Sequence, residues 1–333
     1  MGKTFHIQWH ITDRCNLRCL HCYQDDFSSK SEISLSSLGK IFSNVMDFVE
    51  ERKQKLVIDI TGGELFLHSH WKELLQMVYQ HPAVKKTGII TNGFFLEENT
   101  GFLDGFEKLA VKISAEGIKE KTFELFRGKG NYKIFINICK NLKMHLPVWE
   151  KLLMFTLTKY NLKDVPYLFD FIKEYNFNAF IIERFIPWGR GRKITEALIS
   201  PAEWLSTLRT LCDRCGLDED ISPLLPYRGF MVRMDKRGYH LFGATCIVGT
   251  DGIAIMPDGT VFPCRRFPLA IGNLLETPLK YIWERSEVLR KLRNKNFLQG
   301  RCKGCKIKNC RGCRAIAYSI TGDFLEEDPL CLL

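Results

Sequence analysis

Short apolar runs recur along the first half of the chain, near 5–11, 56–61, 86–91, 109–115, 151–157 and 179–186, each of strand length. Between them, segments such as 34–53, 71–80 and 163–174 place apolar residues three and four positions apart, the period of an amphipathic helix. This alternation predicts a parallel sheet with helices outside it, an architecture whose ligands gather at the carboxyl ends of the strands. The rhythm breaks at 187–245. That stretch opens with Pro187-Trp188-Gly189-Arg190-Gly191-Arg192 and contains Pro201, Pro223 and Pro226, so a connector with one or two helices is expected. The remaining 246–333 is rich in cysteine, glycine and cations and predicts one helix, at 280–294. The expected division is therefore 1–186, 187–245 and 246–333.

The composition, 45% hydrophobic and 26% charged over 333 residues, is that of a globular chain with a sizeable core. No apolar run approaches the roughly 20 residues of a membrane span. The stretch from Met1 to His6 lacks the apolar core of a secretion signal, so a cytoplasmic, reducing location is expected. Thirteen cysteines in such a compartment point to metal binding or catalysis rather than disulfides. Cys15, Cys19 and Cys22 form C-x3-C-x2-C just after the first strand, and Cys302, Cys305, Cys310 and Cys313 form C-x2-C-x4-C-x2-C. Three thiolates on one loop can hold three corners of a four-iron cluster and leave the fourth iron open to an external ligand. Structural zinc needs four protein ligands, and only His21 is near the first group; the second group, taken alone, also fits a zinc ribbon. Cys139 reads as a buried small hydrophobe.

The segment Cys15-Asn16-Leu17-Arg18-Cys19-Leu20-His21-Cys22-Tyr23 resembles the cluster signature of the radical S-adenosylmethionine (SAM) superfamily. Thr61-Gly62-Gly63-Glu64 resembles the family's glycine-glycine-glutamate element, whose backbone and carboxylate bind the SAM amino group. Glycines suit a backbone that must approach a ligand closely. Ile90-Thr91-Asn92-Gly93 and Val111-Lys112-Ile113-Ser114-Ala115-Glu116-Gly117 resemble later strand endings, which makes Asn92, Ser114 and Glu116 candidate SAM contacts. Glu183-Arg184-Phe185 offers Arg184 to the SAM carboxylate. Cys246, Gly259, Cys264, the four-cysteine group and Cys331 resemble the SPASM extension, which carries one or two auxiliary four-iron clusters. The resemblance implies an outer set of Cys302, Cys305, Cys310 and Cys331, and an inner set of Cys246, Cys264 and Cys313 without a fourth cysteine. Cys212 or Cys215 is a candidate to complete the inner set, or to act as a catalytic thiol that returns a hydrogen atom to a substrate radical.

The implied fold is a partial (β/α)6 barrel followed by a small cysteine-rich domain. The implied activity is abstraction of a substrate hydrogen by a 5′-deoxyadenosyl radical. Relatives of this architecture mostly crosslink or epimerise ribosomally made peptides, so peptide modification is the first expectation, with a separate leader-recognition protein as a possible partner. A small-molecule or tetrapyrrole substrate is the second, and a non-catalytic zinc or iron–sulfur scaffold the third. Sulfatase maturases carry an aspartate where Arg265 follows Cys264 here, which removes that activity. The net charge of +10 is concentrated in 285–314, from Arg290 and Lys291 through Lys306, Lys308 and Arg311 to Arg314. Such a face suits an acidic electron donor such as a flavodoxin or ferredoxin. No nucleic-acid module accompanies the charge.

Overall fold

The computed structural model describes residues 3–145, 147–217, 220–307 and 310–332, so Lys308 lies outside the described residues. Six parallel strands run in chain order: β1 (Thr4–His10), β2 (Lys55–Thr61), β3 (Val84–Thr91), β4 (Leu109–Ser114), β5 (Glu150–Leu157) and β6 (Ala179–Arg184). Each pairs with its successor, as strand–helix–strand units require. Helices cover the outer face. The helix Leu35–Glu51 begins where the Ser34 side chain accepts from the Ser37 backbone N–H, and it buries Leu38, Ile41, Phe42, Val45 and Val49. This is the partial (β/α)6 arrangement.

Both edges of this sheet are extended by later sequence. Strands β7 (Tyr227–Asp235) and β8 (Gly238–Thr245) form an antiparallel hairpin on β6. Strand β9 (Gly252–Ile255) pairs in parallel with β1, and β10 (Thr260–Phe262) and β11 (Gly272–Asn273) follow it, giving eleven strands in one sheet among the described residues. The cysteine-rich part is clamped to the barrel: Trp283 stacks edge-on against Phe5, 5.1 Å between centroids. The Asn44 amide donates to the carbonyls of Leu274 and Thr277, while its oxygen accepts from Leu279 N–H.

The region 187–245 departs from expectation. It holds the 3-10 stretch Gly189–Ala197 and the helix Pro201–Arg214, capped reciprocally by Ser200 and Glu203, but also the hairpin β7–β8. The hairpin escaped sequence reading because β8 lies mostly open to solvent and carries no continuous apolar run. The helix expected at 280–294 is two, Leu279–Arg285 and Glu287–Arg293. Ser286 ends the first in extended backbone and caps the second by accepting from Leu289 N–H.

Candidate active site

The carboxyl ends of β1 to β6 open into a cavity lined by residues from all six strand endings and from the turn after Cys264. The loop after β1 supplies Cys15, Cys19 and Cys22, and all three thiols line it. Burial pushes the Cys19 thiol up to about 12 and that of Cys22 to about 11. Buried Cys139 is pushed up in the same way yet packs in the apolar core, so burial does not distinguish a ligand. Convergence does: three thiols whose charged forms need a cation face one open space, and this donor set fits a cluster with one iron left accessible.

The loop is held by backbone contacts that need no metal. Leu20 N–H donates to the Phe126 carbonyl, and Gly191 N–H to that of Cys22. The segment read as the opening of the connector is thus a strap across the cluster loop. Gly189 has φ of +53°, and a Cβ there would collide with the Tyr23 carbonyl, so only glycine lets the strap lie this close. Arg190 adds hydrogen bonds to the carbonyls of Cys19 and Arg18.

Gly62 and Gly63 line the cavity, but the reason for glycine differs from the one expected. A Cβ on Gly63 would meet the Arg14 carbonyl at 2.5 Å, and one on Gly62 would meet Thr12, so the glycines seat the second strand ending on the cluster loop rather than making room for a ligand. Gly63 N–H and Glu64 N–H donate to the carbonyls of Thr12 and Arg14. The Glu64 carboxylate does not face the cavity as an amino-group ligand. It is fully buried and accepts from the Thr91 hydroxyl and from Asn92 N–H at 2.8 Å, which ties the end of β2 to that of β3. Burial raises its pKa to about 7.

Asn92 and Ser114 line the cavity, and the Asn92 amide also donates to Asn16 on the cluster loop. Glu116 is there too, but both its oxygens are engaged: Arg127 Nε at 2.7 Å and His21 Nε2 at 3.2 Å. Burial opposes the charged form, yet Arg127 and His21 outweigh it and the Glu116 pKa falls to about 2. Glu116 therefore positions Arg127, whose guanidinium reaches the cavity, and joins His21 of the cluster loop to the end of β4.

Arg184 is elsewhere. Strand residues alternate in direction, so Glu183 faces the cavity and Arg184 the opposite side, where it donates to Asp328 at 3.2 Å. The cavity's arginines are instead Arg127, Arg265 and Arg266, which sequence reading missed as site residues. Nothing marks Arg127 in the sequence, since an arginine ending a helix is commonplace, whereas Arg265 and Arg266 had a signal in directly following Cys264.

Cys212 and Cys215 do not border the cavity or the inner set. The helix Pro201–Arg214 spans about 21 Å at 1.5 Å per residue. Its start carries Trp204, against which Arg184 packs, while its end carries Arg214, bonded to Asp170 and stacked on Phe169. Cys212 is in the apolar core at that far end, so neither thiol completes the inner set or meets a substrate in this cavity.

The carboxyl-terminal thiols form two groups. Cys302, Cys305, Cys310 and Cys331 line one pocket, the outer set in full. Cys246, Cys264 and Cys313 lie near one another, and burial followed by the Cys313 charge pushes the Cys246 thiol up to about 12. Cationic groups connect these sites. Arg266, between the cavity and the inner set, pairs with Glu183 at 3.1 Å. Arg228 lies among Cys246, Cys313 and Cys310 and donates to the Cys310 sulfur at 2.6 Å, while Arg314 donates to the Cys302 sulfur at 3.4 Å.

Two family models match. The Radical SAM superfamily model covers residues 9–172, and SPASM, an iron-sulfur cluster-binding domain, covers 246–314. The chain is 29% identical to the AdoMet-dependent heme synthase of Methanosarcina barkeri (strain Fusaro / DSM 804), over 98% of this chain and 95% of that enzyme. It is 28% identical to the antilisterial bacteriocin subtilosin biosynthesis protein AlbA of Bacillus subtilis (strain 168), over 91% of this chain and 67% of AlbA. Among solved structures, Streptococcus suis SuiB bound to precursor peptide SuiA superposes with a TM-score of 0.75 at 16% identity, covering 100% of this chain and 77% of SuiB, a likeness of fold. Among the described residues, no helix is long and apolar enough to cross a membrane.

Proposed function

Because the chain belongs to the radical SAM superfamily and carries the SPASM iron–sulfur cluster-binding domain, we infer that its cavity abstracts a hydrogen atom from a tetrapyrrole side chain. It is a radical SAM enzyme, with SAM, a [4Fe-4S] cluster and auxiliary iron–sulfur clusters as cofactors. The observation that carries the inference is the convergence of Cys15, Cys19 and Cys22 on one cavity that is also lined by Arg265 and Arg266 of the cluster-binding domain. When bound, the reduced cluster and SAM supply a 5′-deoxyadenosyl radical that takes one hydrogen atom from the substrate.

The chain's own residues hold, orient and shield. Cys15, Cys19 and Cys22 would hold the SAM-binding cluster, with the strap at Gly189 fixing their loop. The backbone at Gly62 and Gly63, together with Asn92 and Ser114, would bind the amino-acid end of SAM. Arg127, fixed by Glu116, is better placed than Arg184 to receive its carboxylate. Leu17, Ile90, Phe185 and Ile186 give the wall its apolar part, which keeps water from competing for a substrate radical. The outer and inner thiol sets would hold the auxiliary clusters. The basic segment around Arg290, Lys303 and Arg311 suits an acidic electron donor.

The tetrapyrrole reading is supported by end-to-end alignment with a heme synthase. Modification of a ribosomally made peptide is the second reading, supported by AlbA, although a third of AlbA finds no counterpart in the alignment. Anaerobic incubation of the reconstituted protein with SAM, dithionite and iron coproporphyrin III tests the choice. A mass change in the porphyrin, matched mole for mole by 5′-deoxyadenosine, is expected. Porphyrin left unchanged while an added peptide changes mass would reverse the order of the two readings.

A further inference from the structure

The turn after Cys264 places two arginines at the cavity and, among the described residues, gives only one of them an acidic partner. Phe267 N–H donates to the Cys264 carbonyl at 2.9 Å, and the Phe267 side chain is fully buried, so the turn is tight and its tip is fixed. At that tip Arg266 pairs with Glu183 and donates to the Arg184 carbonyl. Arg265 has no acidic partner among the described residues. Its Nε is buried without an acceptor, and its guanidinium carbon sits 4.5 Å from the centre of the Tyr23 ring.

Stacking satisfies the face of a guanidinium but not its edge, where the N–H groups point. A partly buried guanidinium with an unsatisfied edge is costly to maintain unless something accepts from it, and a carboxylate matches its fork in geometry as well as charge. Arg127 is bonded to Glu116, where the amino-acid end of SAM is expected, whereas Arg265 stacks on Tyr23 from a turn of the cluster-binding domain. We propose that Arg265 is a specificity-determining residue that binds a carboxylate of the substrate and so fixes which hydrogen of that substrate faces the SAM side of the cavity. This rests on the radical SAM reading of the cavity and deepens it by naming the group recognised. Porphyrin propionates and acidic peptide side chains share that chemistry.

The test is equilibrium binding to the reconstituted, SAM-loaded protein, wild type and Arg265→Ala, in two arms. One compares coproporphyrin III with its neutral tetraamide by porphyrin fluorescence. The other compares a labelled peptide containing glutamates with its glutamine counterpart. SAM affinity and the spectrum of the reduced clusters are recorded on the same samples. The expected result is acid-selective binding in the porphyrin arm that R265A weakens about ten- to hundredfold, with tetraamide binding, SAM affinity and cluster spectrum unchanged. The same pattern in the peptide arm would uphold the carboxylate site and reject the tetrapyrrole reading. Equal acid binding by wild type and R265A, or no acid preference in either arm, would overturn the proposal. So would loss of SAM affinity or an altered cluster spectrum in R265A without a change in acid binding, since Arg265 would then serve the cofactors.

Discussion

Replacing Cys15, Cys19 and Cys22 together by alanine is expected to abolish 5′-deoxyadenosine formation, a loss of at least about a thousandfold, and to remove about four irons per chain while the carboxyl-terminal iron remains. These three thiols line the cavity on one loop fixed from both sides, so none can stand in for another. The fold should survive. Leu20 and Cys22 are anchored through backbone to Phe126 and Gly191, and Gly63 and Glu64 hold the loop from beneath, none of which uses sulfur. Circular dichroism unchanged from wild type, with SAM cleavage lost, is the predicted pair of results. Cleavage within tenfold of wild type would mean that these cysteines do not hold the cluster that acts on SAM.

The second large effect falls outside the cavity lining, at Asp328. Its side chain is fully buried, accepts from Cys313 N–H at 2.8 Å and Leu330 N–H at 2.9 Å, and stands between the guanidiniums of Arg184 and Arg228. Arg228 in turn holds the Cys310 sulfur. Asp328→Ala leaves two cations without their counter-charge and two N–H groups without acceptors, a loss of roughly 3–5 kcal/mol, and frees the loop that presents the outer thiols. Thermal unfolding and iron content should both fall, the latter by about four per chain. Asp328→Asn keeps the shape and loses the charge, so it should fall between.

The acid dependence follows from the sign of the shift. Burial pushes the Asp328 pKa up, but Arg184 and Arg228 outweigh it and hold the carboxyl below its ordinary value. Its contribution is thus present above the unfolded value of 3.8 and is lost as pH falls through the lower folded value. Wild type and D328N should converge in stability at the acid end of the range and diverge toward neutrality.

The parts of this site written as local pattern were legible in the sequence. Three cysteines on one loop, and apolar runs of strand length, carry their meaning within a few residues. What was missed depends on contacts between distant segments: the strap at Gly189 over Tyr23, the Glu116–Arg127–His21 network, and Arg265 on Tyr23. Arg184 was misplaced by a single step along β6, because neighbouring strand residues point to opposite faces and Glu183 took the cavity side. Cys212 and Cys215 were misplaced by helix length, which carries the last turn of their helix far from the end that borders the cluster-binding domain. Gly62 and Gly63, expected to let backbone approach SAM, line the cavity and pack their backbone against the cluster loop.

A SAM-binding cluster in the cavity with auxiliary clusters behind it fixes the metal content of the chain. The most direct test is the iron, acid-labile sulfide and zinc content of protein prepared and reconstituted without oxygen. About twelve irons with matching sulfide and no zinc are expected, four for each of three clusters. About four irons accompanied by zinc would contradict this arrangement, leaving a SAM-cleaving barrel beside a carboxyl-terminal domain built on zinc.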